Sequence, residues 1–158
     1  MTQKRSAGLL LFRRRPTTAD RVEVLLGHLG GPFWAHRDAG GWGIPKGEYE
    51  EDEAPLDAAR REFLEEIGLP PPQGPYLPLG EVLQSNGKLV TIWAVEADLD
   101  PALMVPGTFT MEWPQGSGRT QEFPELDRVA WFAPPMARTR LISSQIPFLD
   151  RLLGLVND

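Results

Sequence analysis

The chain has 158 residues, 41% of them hydrophobic and 24% charged, and this size and composition predict a single globular domain over residues 1–158. Cysteine is absent, which excludes disulfide bonds, zinc–thiolate sites and a thiol nucleophile and suits the reducing cytoplasm, where we expect the protein. The formal net charge of -6 argues against nucleic acid as a partner, and no apolar run approaches the roughly 20 residues that a membrane span needs.

The predicted elements begin with two strands and a long loop. Short apolar runs predict strands over Ala7–Arg13 and Arg21–Leu29, which a turn at Pro16–Asp20 joins into a hairpin. The segment Gly30–Gly47 is rich in glycine and aromatic residues and is predicted to be a loop. From Asp52 to Ile67 the apolar residues recur at helical spacing, which predicts a strongly specified helix.

The second half of the chain is predicted to consist mostly of strands. Gly68 and the prolines after it end the helix, since glycine allows a left-handed terminus and proline cannot continue a helix. The remaining strands are predicted over Leu77–Leu83, Lys88–Ala97, Thr108–Trp113 and Asp127–Phe132, and two C-terminal helices over Met136–Leu141 and Gln145–Leu153. The turn Ser85-Asn86-Gly87 joins the first two of these strands as a hairpin. Strands grouped around one helix predict a mixed α+β fold.

The predicted helix has an apolar face and an acidic face side by side. The apolar face consists of Leu56, Ala59, Phe63 and Ile67 and is expected to pack on a sheet. Glu62, Glu65 and Glu66 stand at i, i+3 and i+4, so their carboxylates cluster on the adjacent arc. Such like charges oppose helix formation unless a cation binds them, and Mg²⁺ prefers carboxylate oxygens together with substrate phosphates. A solvated helix face is the alternative interpretation of the glutamates alone.

The residues around the acidic cluster form a longer pattern, G-x5-E-x7-R-E-U-x-E-E-x-G-U, where U is a bulky aliphatic or aromatic residue. Its fixed positions are filled by Gly47, Glu53, Arg61, Glu62, Phe63, Glu65, Glu66, Gly68 and Leu69. This segment resembles the Nudix box, with Phe63 at a site that is usually aliphatic. The flanking strands resemble the Nudix fold along nearly the whole chain. The resemblance therefore implies a Nudix α+β fold, in which a mixed β-sheet is sandwiched between helices.

The resemblance also implies an activity, a metal and a role for each polar residue of the box. The implied metal ligands are Glu62, Glu65 and Glu66, with Mg²⁺ as the ion and Mn²⁺ as its substitute. Arg61 is expected to orient the carboxylates through ion pairs, and Glu53 to support that network. Gly47 and Gly68 are expected to shape the loop–helix–loop turn. The implied enzyme is a pyrophosphohydrolase that cleaves the linkage in a nucleoside diphosphate attached to another moiety.

The general base stays open among several carboxylates, because in the family it comes either from the box or from a distant loop. Glu62 and Glu66 are the first candidates in this chain. Glu112 and Glu122 come next, since they flank a glycine-rich loop that would fold over the site. Each of the latter two is otherwise an ordinary solvated carboxylate.

Substrate contacts are predicted from cationic and aromatic residues. Lys46, immediately before Gly47, is expected to contact phosphate, and the weaker candidates for the same role are Arg37, Lys88 and Arg119. A nucleotide base needs a stacking surface, for which the available rings are Phe33, Trp34, Trp42, Trp113 and Phe123. Of these aromatic residues we favour Trp42 and Phe123, while most of the rings are expected to belong to the core.

The sequence leaves the substrate subclass open. Residues 83–87, some fifteen to eighteen positions beyond the box, contain neither the proline typical of ADP-ribose hydrolases nor the tyrosine typical of dinucleoside polyphosphate hydrolases. We rank dinucleoside polyphosphates or nucleoside triphosphates above ADP-ribose and nucleotide sugars as the small-molecule partner. The protein is expected to be a monomer or a homodimer. A catalytically silent nucleotide-sensing module on the same fold is the alternative.

Overall fold

The computed structural model describes residues 3–15 and 21–156, and nine strands and three α-helices are found among them. The strands are β1 (Arg5–Arg15), β2 (Arg21–Leu29), β3 (Trp42–Gly43), β4 (Lys46–Glu48), β5 (Tyr76–Leu83), β6 (Leu89–Glu96), β7 (Thr108–Glu112), β8 (Thr120–Pro124) and β9 (Leu126–Phe132). The helices are α1 (Pro55–Ile67), α2 (Pro134–Arg140) and α3 (Ile146–Val156). Single 3₁₀ turns lie at Pro101–Leu103 and Ser143–Gln145.

Seven of these strands form one mixed sheet. Its central order is β3-β2-β1-β6-β5, with β4 pairing β1 and β9 pairing β2. β1 runs antiparallel to β2 and parallel to β6, and β5 and β6 form an antiparallel hairpin. Both predicted hairpin pairings are thus confirmed, although the turn predicted at Pro16–Asp20 lies outside the described residues. β7 and β8 pair only with each other, as a separate two-stranded ribbon.

Helices cover the sheet on both faces, which confirms the predicted sandwich of a mixed sheet between helices. On one face, Phe63 and Ile67 of α1 share a core with alternate residues of β1 such as Leu9. On the other face, Phe148 and Leu149 of α3 share a core with the intervening residues of β1. Burying each large apolar side chain contributes roughly 1.5–3 kcal/mol, so α1 is held against the sheet by its apolar stripe. None of the helices described is long and apolar enough to cross a membrane.

Three predictions about local structure were wrong. α1 begins at Pro55 and not at Asp52, because proline lacks an amide hydrogen and fits the first helical position, while Ala54 before it is extended. The loop predicted over Gly30–Gly47 contains β3 and the start of β4, which pair with distant strands. β8 was not predicted, and its pairing with β7 converts the expected single strand into a hairpin.

Candidate active site

The acidic face of α1 borders a cavity with a volume of about 670 Å³. Its polar lining includes Ser6, Lys46, Glu62, Glu66, Lys88 and Glu125. α1 supplies the glutamates, β4 crosses in front of the helix, and the segment between β8 and β9 supplies Glu125. Gly47 of β4 is required here for space, because a Cβ atom at this residue would lie 2.0 Å from an Oε atom of Glu62. The glycine therefore lets the strand pass directly beside the carboxylate.

Glu66 is a buried carboxylate whose charged neighbours are mostly carboxylates. The residue is only 7% exposed, and its Oε1 atom accepts a hydrogen bond of 3.1 Å from the backbone N–H of Lys46. No ion pair to Glu66 is found among the residues that the structure describes. Burial, followed by the negative charges of Glu62 and Glu125, raises the pKa of Glu66 to about 8. A carboxylate in this state gains strongly from a bound cation.

Arg61 ties together the less buried carboxylates of the box. Its guanidinium donates to both carboxylate oxygens of Glu53, at 2.8 and 2.9 Å, and to Glu62 at 2.8 Å. It also reaches Glu65 at 3.2 Å and the backbone oxygen of Glu48 at 3.4 Å. Hydrogen bonding to Arg61 lowers the pKa of Glu53, whereas burial raises the pKa of Glu62 despite the same arginine. The network thus fixes Glu62 and Glu65 on one side of the cavity.

The end of α1 has the geometry predicted for Gly68. This residue has a φ of 77°, in the left-handed region, and its N–H donates to the carbonyl oxygen of Leu64 at 2.8 Å. A Cβ atom here would also lie 2.2 Å from the carbonyl oxygen of Val105. Both the conformation and the close packing require glycine at the point where the helix stops.

The cationic candidates divide into two groups. Lys46 and Lys88 line the cavity, and Lys88 forms an ion pair of 3.2 Å with Glu48. Burial is the main cause, and the charge of Lys88 the second cause, of the lowered pKa of Lys46. Arg37 lies over the ring of Trp34, and neither it nor Arg119 is among the lining residues. The structure therefore brings the two lysines, and not the two arginines, to the carboxylates.

The distant carboxylate at the cavity is Glu125, which the sequence interpretation missed. Glu112 accepts a hydrogen bond of 2.7 Å from the N–H of Gly116 within its own hairpin, and neither it nor Glu122 lines the cavity. Glu125 follows β8 and lines the cavity, with its N–H bonded to the carbonyl oxygen of Gly107 at 2.8 Å. The role of Glu112 stays a prediction, whereas the β7–β8 pairing places Glu125, at the end of the ribbon, at the cavity.

Trp42 is a core residue, which corrects its prediction as a substrate contact. Its side chain is 3% exposed, and its indole N–H donates to Asp38 at 3.0 Å. Its ring packs edge-on against His28 and Phe132, with centroid distances of 5.1 and 4.9 Å. The guanidinium of Arg128 lies 5.0 Å from the ring centroid. The ring therefore has no free face for a nucleotide base.

The other aromatic candidates pack in separate contacts outside the cavity lining. Phe123 of β8 packs against Phe109 of β7 with a centroid distance of 6.0 Å. Phe33 and Trp113 meet edge to face at 5.5 Å. Neither these rings nor Trp34 lies in the lining of the cavity. The role of Phe123 as a stacking residue stays a prediction, since the structure shows only that its ring packs within the hairpin.

The chemistry of the carboxylates fits a divalent cation. Glu62 and Glu66 each have a raised pKa partly because other carboxylates repel them, and hard divalent cations prefer such oxygen ligands. Across the described ranges, no three histidine, cysteine or acidic side chains form a ready-made metal cage. Arg61 accounts for part of this, since it occupies oxygens of Glu62 and Glu65. A metal ion would therefore meet Glu66 first and compete with Arg61 for Glu62.

The fold and the cavity together define a class of domain. In this class, a glutamate-rich helix and a short strand that contains a glycine enclose an acidic site beside a mixed sheet. The sequence profile of the NUDIX domain matches residues 2–152, so the chain belongs to the Nudix family. A curated relative, the nucleoside triphosphate pyrophosphatase/Nudix hydrolase fusion protein of Bifidobacterium longum, is 35% identical over 66 residues. That match covers 42% of this chain and 13% of the fusion protein.

Two solved structures resemble the whole chain. C. elegans Ap4A hydrolase in a binary complex superimposes with a TM-score of 0.65 at 18% identity, over 96% of this chain and 98% of that chain. A Nudix hydrolase from M. smegmatis gives a TM-score of 0.59 at 26% identity, over 98% of this chain and 86% of the other. These similarities agree with the family profile and show that the fold is shared over nearly the whole chain.

Proposed function

We propose that the chain is a divalent-metal-dependent enzyme that hydrolyses the pyrophosphate linkage of a nucleoside diphosphate attached to another moiety. The observation that carries this proposal is Glu66, a buried carboxylate without an ion pair to any described residue, beside Glu62 in a cavity of about 670 Å³. Burying an uncompensated charge is unfavourable unless a ligand neutralises it. The ligand that suits two adjacent carboxylates and a phosphate substrate is Mg²⁺ or Mn²⁺.

The metal ligands in this proposal are Glu62, Glu65 and Glu66. When bound, the ion would neutralise the charge of the phosphates and make water more acidic. Arg61 holds Glu62 and Glu65 in place from the solvent side, and Glu53 fixes the guanidinium of Arg61 through two hydrogen bonds. Phosphoryl transfer needs little covalent work from a protein, so this positioning accounts for most of the contribution of these residues.

The remaining chemical roles are removal of a proton and binding of the phosphates. A carboxylate must accept the proton of the attacking water, and Glu125 joins Glu62 and Glu66 as a candidate because it lines the same cavity. Lys46 provides a positive charge beside Glu66, where it would contact a phosphate oxygen. Burial lowers the pKa of Lys46. A phosphate bound next to the lysine would raise this pKa again.

Dinucleoside polyphosphates and nucleoside triphosphates are the favoured substrates, ahead of ADP-ribose and nucleotide sugars. The C. elegans neighbour is an Ap4A hydrolase by name, and the Bifidobacterium longum relative includes a nucleoside triphosphate pyrophosphatase in its name. Both names fall within the favoured class. The two lysines at the cavity support the same ranking, because each added phosphate group brings negative charge that they would neutralise.

The direct test is hydrolysis of a nucleotide panel with Mg²⁺ and with Mn²⁺, with the products separated by chromatography. We expect release of a nucleotide with at least one member of the panel, and loss of activity on addition of a chelator. The variants Glu62→Gln and Glu66→Gln keep the side-chain shape and remove a charge, and each should lower kcat at least about 100-fold. The matched control is Glu51→Gln, which removes an exposed carboxylate that does not line the cavity. Unchanged turnover in both cavity variants contradicts the proposal.

A catalytically silent nucleotide-sensing module is the second candidate function. The observation in its favour is the ion pairing of Arg61 with Glu62 and Glu65, which neutralises two of the three implied ligands without a metal. On this alternative, the chain binds nucleotides equally well with and without Mg²⁺ and hydrolyses none of them. Calorimetric binding in the presence and absence of a chelator separates the two functions.

A further inference from the structure

Ser6 has a buried hydroxyl group without a hydrogen-bond partner. The residue is 1% exposed, and its Oγ atom is the one buried side-chain nitrogen or oxygen atom without a partner in the described part of the chain. Ser6 also lines the cavity that contains Glu62 and Glu66. Burying an unsatisfied hydroxyl is unfavourable, and in native proteins such groups usually have a protein, water or ligand partner. The hydroxyl is therefore available to a group that enters the cavity.

The strand register explains why Ser6 stands beside two charged residues. Ser6 of β1 is paired with Glu48 of β4 on one side and with Val90 of β6 on the other. Lys88 directly precedes β6 and lines the same cavity as Ser6. The Nζ atom of Lys88 lies 3.2 Å from Oε2 of Glu48, so this ion pair spans β1 at the level of Ser6.

Ser6 shares the cavity with two lysines. Lys46 and Lys88 both line it, and Glu48 is the carboxylate paired with Lys88. Glu48 is about half exposed, whereas the side chain of Lys88 is 20% exposed. A partly exposed ion pair of this kind is weak and can be exchanged for a stronger anion. A phosphate group, with several acceptor oxygens, would accept hydrogen bonds from the ammonium and from the hydroxyl together.

We propose that Ser6 and Lys88 form a second anion subsite, which binds a phosphoryl group beyond the pyrophosphate linkage that faces the carboxylates. A phosphoryl oxygen accepts hydrogen bonds from Oγ of Ser6 and Nζ of Lys88, and Glu48 is displaced from the lysine. The inference rests on the proposed hydrolase function, in which the neighbouring carboxylates face the pyrophosphate linkage. It specifies the substrate class as a chain of three or more phosphates and makes Ser6 and Lys88 the residues that recognise its length.

Calorimetric binding of inorganic tripolyphosphate and pyrophosphate in the presence of Mg²⁺ tests this subsite. Wild-type protein should bind tripolyphosphate more tightly than pyrophosphate. The variants Ser6→Ala and Lys88→Met should each weaken tripolyphosphate binding by about tenfold, the usual effect of one charge-assisted hydrogen bond, and leave pyrophosphate binding unchanged. Glu48→Gln should have the opposite effect and strengthen tripolyphosphate binding a few-fold, because it removes the carboxylate that competes for Lys88.

The matched controls are Ser143→Ala and Lys4→Met, which remove an exposed hydroxyl and an exposed ammonium outside the cavity. They should bind both phosphate chains as the wild type does. Equal affinity of the wild type for the two chains, or equal losses for both chains in the Ser6 and Lys88 variants, overturns the subsite. Tripolyphosphate binding that depends on Ser6 and Lys88 supports the subsite even when no nucleotide is hydrolysed, and that combination contradicts only the hydrolase proposal.

Discussion

The helices α1 and α3 cover opposite faces of the same sheet and bury their side chains in opposite ways. α3 buries only apolar residues, namely Phe148, Leu149 and Leu152. Its polar residues tie it to its surroundings, since Arg151 donates to the carbonyl oxygens of Leu79 and Glu81 at 2.9 and 3.0 Å. Every group on this helix thus contributes to packing or is solvated.

α1 contributes less to the stability of the fold than α3 does, because of its acidic face. It buries Glu66 beside Phe63 and Ile67, has no side-chain cap at its start and no basic residue in its last turn. Glutamates in the last turn are unfavourable, because the C-terminal end of a helix carries partial negative charge. α3 therefore stabilises the fold through apolar packing, whereas α1 also buries a carboxylate, Glu66, that forms no ion pair with any described residue.

The largest expected effect is on stability and lies in α3. Phe148 is fully buried. The variant Phe148→Ala should lower the free energy of unfolding by about 3–5 kcal/mol, because it leaves a cavity in the core. Urea unfolding followed by circular dichroism measures this change. The control Leu155→Ala removes a side chain that is 52% exposed and should change stability by less than about 0.5 kcal/mol. Equal effects of the two variants would remove the stabilising role assigned to α3.

The second prediction combines activity and stability in α1. Glu66→Gln should lower kcat at least about 100-fold, equivalent to about 3 kcal/mol of activation free energy. Above about pH 8, where Glu66 is ionised, the same variant should unfold at the same or a higher temperature without metal, because it removes a buried charge that Glu62 and Glu125 repel. Thermal unfolding in the presence of a chelator provides the second measurement. A variant that lost activity only because it was unstable would contradict the division of roles between the helices.

The sequence predicted the parts of the site that depend on local spacing. The helical period from Leu56 to Ile67, the left-handed residue Gly68 and the clustering of the glutamates are all consequences of contacts within one helix. Their positions therefore follow from spacing alone. The hairpin of β5 and β6 was predicted for the same reason, since its turn residues stand together in the chain.

The rest of the site depends on pairing between distant segments, which spacing does not reveal. Ser6 and Glu125 reach the cavity because of the register of β1 with β4 and β6 and the return of β8 from its hairpin. β4 itself is short and is placed by non-local contact, since Gly8 has room for Pro45 and Lys46 only without a Cβ atom. Trp42 was misinterpreted because an aromatic residue in a loop segment serves equally for packing and for stacking.

The third prediction concerns pH and uses the raised pKa of Glu66. The folded protein holds this proton up to about pH 8, whereas an unfolded chain releases it near the ordinary glutamate pKa of 4.5. The folded state therefore binds more protons between these limits, and the metal-free protein should lose stability as pH rises. We expect a decrease of about 1–2 kcal/mol in unfolding free energy between about pH 6 and about pH 7.5. Urea unfolding with a chelator measures it, and Glu66→Gln should show a flatter profile.

Added Mg²⁺ should change this pH dependence of stability. A bound cation stabilises the ionised form of Glu66, so it should restore stability at the higher pH and have less effect at the lower pH. The Phe148→Ala variant keeps Glu66 and should show the same response to Mg²⁺ from a lower starting stability. A loss of the Mg²⁺ effect in that variant would mean that the two faces of the sheet are coupled.

The smallest predicted effect on stability is at Glu53, which acts through Arg61. The pair is partly exposed to solvent, and Glu53→Gln should change the unfolding free energy by less than about 1 kcal/mol. Its effect on metal binding should be larger, because Arg61 released from Glu53 is free to pair more closely with Glu62 and Glu65 and so to compete with the cation. The Mg²⁺ concentration for half-maximal activity should rise about threefold to tenfold, while kcat at saturating Mg²⁺ stays near the wild-type value. Glu51→Gln is the matched control, since it removes an exposed glutamate close in sequence that does not contact the arginine. A fall in saturating kcat without a change in the Mg²⁺ requirement would show that Glu53 takes part in the chemistry itself and does not act by holding Arg61 away from the metal ligands.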